Sequence, residues 1–118
     1  MGHSKCKIGV VDKKGKYSFL FQGFRKNKFA ISGFETVMSV TFEEMVNYNI
    51  FFMVLYDYRD VFELLQLKDS GIPAIIASEN VKIIKKLQKI DCYQVVDLSK
   101  RYSIHSSLHD CMNEIIKK

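Results

Sequence analysis

Apolar residues fall along this chain in two alternating patterns: short continuous runs, and stretches that repeat every three or four positions. That alternation marks strand–helix units laid on a parallel sheet. Residues 7–12 (KIGVVD) form the first run. Tyr17, Leu20, Phe21 and Phe24 then recur at i, i+3, i+4 and i+7, which predicts a helix with these four on its inner face. Gly15 and Gly23 weaken that helix by up to about 1 kcal/mol each. Phe19 falls outside its apolar face, so a hairpin through residues 17–24 and 29–34 is the competing reading.

Residues 29–37 predict a second strand. Thr41 and Glu44 have capping-box spacing and open a short helix with Phe42, Met45 and Val46 inward. Residues 50–57 (IFFMVLYD) are apolar up to a terminal acid, as expected of a strand buried on both faces. Asp60 and Glu63 repeat the capping spacing before a helix with Val61, Leu64 and Leu65 inward. Gly71 ends it, and Pro73 prevents its resumption. Residues 73–78 (PAIIAS) predict a fourth strand. Asn80 caps a helix with Ile83, Ile84, Leu87 and Ile90 inward and Lys82, Lys85, Lys86 and Lys89 outward. Residues 92–98 (CYQVVDL) predict a fifth strand. Ile104, Leu108, Cys111, Met112 and Ile115 mark the inner stripe of a last helix, whose negative end Lys117 and Lys118 suit. The expectation is one α/β domain over residues 5–118: a five-stranded parallel sheet and five helices in strict alternation, doubly wound as a flavodoxin-like three-layer sandwich. Residues 1–4 read as a tag remnant or an unstructured start.

In such sheets ligands bind beyond the carboxyl ends of the strands. The strands deliver Asp12 and Lys13, Asp57, Ser78, and Val96 or Asp97 to that rim. Two carboxylates and a hydroxyl are the minimum for a site holding Mg²⁺ and a phosphoryl group. Mg²⁺ takes one or two carboxylates plus water, and a carboxylate can accept a phosphoryl group as an acyl phosphate. The plainer alternatives are an Asp57 paired with Lys13 and a Ser78 that caps a helix.

Taken in order, KIGVVD, FFMVLYD, IPAIIAS and DCYQVV resemble the first, third, fourth and fifth strands of the receiver domain of two-component response regulators. The 45-residue interval from Asp12 to Asp57 suits that family. The resemblance implies that Asp57 is the phospho-acceptor, that Asp12 and Asp57 bind Mg²⁺, and that Ser78 and Tyr93 are switch residues. It implies a histidine kinase or phosphotransfer protein as donor and signalling by protein–protein contact rather than enzymatic turnover. A downstream protein would be met through the 81–90 helix, the 92–98 strand and the 104–116 helix, or the chain would pair as a homodimer. The chain departs from the family pattern at Lys13, where a second acid is usual, and at Val96 and Asp97, where a lysine and a proline are usual. The segment from Asp57 to Ser78 is also shorter, by roughly two to three helical turns, and lacks a Pro-Gly turn. These departures imply a degenerate pocket in which Lys13 pairs with the phosphate, or with Asp57 in place of a cation. The alternative is then a pseudo-receiver adaptor that never takes phosphate.

Composition narrows the classes. A chain of 118 residues suits one domain. The net charge of +5 is scattered, and most aromatics sit at core-like positions, which argues against a nucleic-acid surface. Three cysteines without CxxC spacing suit a reducing cytosol, the start does not read as a signal peptide, and the apolar run over 50–56 is too short to span a membrane. The expected location is cytoplasmic. His105 and His109 are spaced i, i+4 without a third metal ligand in view. A small α/β nucleotide-binding domain or enzyme would use the same cleft, but the sequence offers neither a glycine-rich phosphate loop nor a nucleophile–base pair.

Overall fold

The computed structural model describes residues 6–24, 28–37, 40–89 and 93–116, apart from the side chains of residues 42 and 116. Five strands make one all-parallel sheet: β1 (Cys6–Val11), β2 (Phe29–Phe34), β3 (Ile50–Leu55), β4 (Ala74–Ser78) and β5 (Gln94–Asp97), in the order β2-β1-β3-β4-β5. The α-helices are α1 (Phe42–Met45), α2 (Val61–Ser70), α3 (Val81–Gln88) and α4 (Ile104–Ile116). Apolar residues from the two sheet faces form two separate clusters, as an α/β fold requires. One joins Ile8, Val10, Phe52 and Val96 to Leu108 and Met112 of α4. The other joins Phe51, Met53 and Ile76 to Leu64 and Leu67 of α2 and Ile83 and Leu87 of α3. Every residue of β3 is buried, as its unbroken apolar run requires.

After β1 the chain moves to one side of the strand for β2, and then to the other side for β3. The strand order therefore reverses between β1 and β3, and their carboxyl ends flank the crevice where open α/β sheets bind ligands. Val11 pairs with Met53, so the residues that follow β1 and β3 emerge side by side. Gly9 makes this pairing possible, because a Cβ there would sit 2.4 Å from Cε1 of the buried Phe51.

The first connection departs from the expected helix. Residues Ser18–Phe21 form one 3₁₀ turn, while Tyr17, Leu20 and Phe21 are buried and Phe24 packs against them. The inner face was legible, but the Asp12 carboxylate captures the Tyr17 amide at 2.9 Å and Gly15 turns at φ +64°, which favours a compact turn. The competing hairpin fails as well, since β2 pairs with β1 in parallel. The second strand ends at Phe34 rather than residue 37.

Two inward assignments and one capping assignment need correction. Val46 is 54% and Leu65 59% exposed, and Leu67 takes the core position that Leu65 was expected to hold. The apolar residues of α2 encircle the helix, so periodicity alone could not choose between them. Asp60 does not cap α2 through its side chain. The capping box instead joins Asp57 and Asp60 around the 3₁₀ turn Tyr58–Asp60. Glu63 turns away to accept from the Val37 amide at 2.9 Å and from the Thr36 hydroxyl.

Other local signals hold. Thr41 Oγ1 accepts from the Glu44 amide at 3.1 Å. Gly71 ends α2 at φ +73°, where glycine carries no Cβ penalty. Asn80 caps α3 by accepting from the amides of Lys82 and Ile83. The expectations for Ile90, Cys92, Lys117, Lys118 and the Phe42 side chain lie outside the described residues. Among the described residues no helix is long and apolar enough to cross a membrane.

Candidate functional site

Asp12 leaves β1 only 7% exposed, with both carboxylate oxygens hydrogen-bonded within the protein. Oδ2 accepts from the Tyr17 amide at 2.9 Å, and Oδ1 from the Lys14 amide at 3.2 Å. Tyr56, the first residue past β3, donates its hydroxyl to the same Oδ1. Burial first, and then the bond to Asp12, push the Tyr56 phenol well above the ordinary tyrosine value, so it stays a donor. Asp12 thus folds the loop after β1 and ties it to the end of β3.

Lys13 spans the crevice. Its Nζ lies 2.9 Å from Asp60 Oδ1 and 3.5 Å from Asp57 Oδ2. The bond to Asp60 is the main cause that raises the Lys13 pKa. Asp60, only 5% exposed, accepts through Oδ2 from the amides of Tyr56 at 2.6 Å and Asp57 at 3.1 Å. Asp57 is the more open carboxylate, with its side chain 40% exposed. Its Oδ1 accepts from the Arg59 amide at 2.8 Å, and Arg59 Nη2 stands 3.5 Å from Oδ2. The Arg59 amide, followed by the Lys13 charge, holds the Asp57 carboxyl below the usual range.

The structure brings Asp12, Lys13 and Asp57 together, and it adds Tyr56 and Asp60. Sequence reading missed Asp60 as a site residue. Its signal is the Asp57–Asp60 spacing, itself a capping pattern, three residues before the Asp60–Glu63 pair. Ser78, the last residue of β4, is fully buried. It donates to the Leu55 carbonyl at 2.6 Å and accepts from the Asn80 amide at 3.0 Å. Its hydroxyl therefore braces β3 against the start of α3. Tyr93 is half-buried against the cluster beneath α2 and α3. It precedes the first residue of β5, so its backbone lies roughly 13 Å down the strand from the rim. Val96 points into the cluster beneath α4, fully buried. Asp97 folds a turn by accepting from the amide and hydroxyl of Ser99.

Mg²⁺ binds between carboxylates whose shared space no other cation fills. Each of the six oxygens of Asp12, Asp57 and Asp60 already faces an N–H, O–H or cationic donor. An ammonium occupies the space between two of these acids. The residues present do not fit the ion in this arrangement. Among the described residues no group of three His, Cys, Asp or Glu side chains is disposed to hold a metal.

No family model matches this chain, no curated protein matches it in sequence, and no solved structure matches its fold.

Proposed function

We propose that this protein is a receiver-like interaction module, with a flavodoxin-like three-layer arrangement, whose acidic crevice is set by Lys13 rather than by phosphorylation. One observation carries the reading. The Lys13 ammonium stands between Asp57 and Asp60, where a phosphorylatable pocket would need a divalent cation. A phosphoryl group on Asp57 would bring about two negative charges against Asp60 and Asp12. The position of the family's pairing lysine is the buried Val96. The reading keeps the signalling role and drops Mg²⁺ and phosphotransfer from a histidine kinase.

The surface supports partner binding. Tyr58, Phe62 and Leu65 are exposed along α2 and the turn before it, and Phe62 reaches 71%. Lys86 of α3 lies over the Tyr58 ring, 4.9 Å from its centroid, and Lys82 and Lys89 share its side of the helix. An acidic partner segment with apolar side chains complements this face. A second copy meeting it through the same face would set lysines against lysines.

Incubation with acetyl phosphate and Mg²⁺, followed by intact-mass measurement, tests the proposal. The expected result is an unmodified chain. A stoichiometric phosphoryl adduct mapped to Asp57 would restore the phosphorelay reading.

A further inference from the structure

Away from the acidic crevice, a cavity of about 410 Å³ opens at the carboxyl rim between the loop after β1, the end of β4 and the start of α4. None of Asp12, Lys13, Tyr56, Asp57 or Asp60 lines it. Its size falls in the range of small-molecule sites, and the rim of an open parallel sheet is where such sites occur. Leu20, Leu98 and Ile104 line it, each no more than 5% exposed, and give it an apolar floor. Phe19 and His105 form one wall, their rings edge to face at 6.5 Å between centroids. Phe19 nonetheless stays 48% exposed.

The charges of the rim select the ligand. Glu79 is paired within the protein, since its Oε1 accepts from the Tyr17 hydroxyl and stands 3.4 Å from Lys16 Nζ. Arg101 also lines the cavity, yet its side chain makes no ion pair or hydrogen bond among the described residues. Among the described residues, one cation above an apolar floor and an aromatic wall is therefore left without a counter-charge.

We propose that this cavity binds a small monoanion with a flat apolar body. The body lies on Leu20, Leu98 and Ile104 against the Phe19 ring, and the anionic group meets the Arg101 guanidinium, whose fork suits a carboxylate. The site does not depend on how the acidic crevice works.

Methyl-resolved NMR of the full chain, titrated with 2-naphthoate and with neutral 2-naphthamide, tests this. Saturable shifts at the methyls of Leu20, Leu98 and Ile104 are expected, with naphthoate favoured by about tenfold, the least that a charge-assisted bond contributes. Arg101→Gln should erase that preference, and Phe19→Ala should weaken both probes. Both residues are exposed, so neither change threatens the fold. Absence of saturable shifts at these methyls, equal binding of the two probes, or an anion preference that survives Arg101→Gln would each overturn the assignment.

Discussion

Lys13 Nζ and Asp60 Oδ1 meet at 2.9 Å and join the loop after β1 to the turn after β3. The contact places a cation from one strand end over a carboxylate that the other strand end has buried. Asp60 is also the acceptor that organises the turn, because its second oxygen holds two consecutive amides.

Asp60→Ala would orphan the Tyr56 and Asp57 amides and leave Lys13 with the more distant Asp57. The expected loss is about 2 kcal/mol of unfolding free energy, read from chemical denaturation. Lys13→Ala should cost less, since the amides keep their acceptor. A larger loss for Lys13→Ala than for Asp60→Ala would show that the ion pair, rather than the amide bonds, organises the turn.

Asp57 should titrate below the ordinary aspartate value of about 3.9, mainly through the Arg59 amide. A carboxyl depressed by folding contributes stability above its unfolded pKa, and that contribution is lost as pH falls through the folded value. The side-chain carboxyl resonance of Asp57, followed against pH, should give a depressed midpoint. Lys13→Ala should raise that midpoint without returning it to the unfolded value, because the amide bond remains.

Gly9→Ala would push a methyl into the Phe51 ring, with ring carbons at 2.4 and 2.7 Å. Phe51 is fully buried and cannot swing away, so the expected cost is about 1–3 kcal/mol. Adding Phe51→Leu should recover part of that loss, a coupling that a double-mutant cycle measures directly.

The exposed α2–α3 face should matter for binding and not for folding. Phe62→Ser and Leu65→Ser should each change stability by no more than about 0.5 kcal/mol. An acidic amphipathic helical peptide should shift amide signals of α2 and α3 in the native chain, and Lys82→Glu with Lys86→Glu should abolish those shifts. Unchanged spectra with the native chain would remove this face as the docking site.

The sheet was readable because burial on both faces demands unbroken apolar runs, as in residues 50–55, and because Gly71 and Asn80 punctuate helices in only one way. The meeting of Asp12, Lys13 and Asp57 followed from parallel strands sharing a rim. Other features depend on partners distant in sequence. Tyr17 joins a 3₁₀ turn because the Asp12 carboxylate takes its amide. Glu63 leaves its own helix for Thr36 and Val37, and Leu67 displaces Leu65 from the core. Local spacing carries no information about such competitions. Asp60 carries a local signal in its capping spacing from Asp57, but its ion pair with Lys13 joins residues 47 positions apart, which spacing does not show.

The most direct test of a crevice set by Lys13 is an amide NMR titration with Mg²⁺ and beryllofluoride, which mimics an aspartyl phosphate. The account predicts no saturable shifts at Asp12, Asp57, Asp60 or Ser78. Saturable shifts clustered at those residues, spreading to Tyr93, would contradict it and establish a working phosphorylation switch.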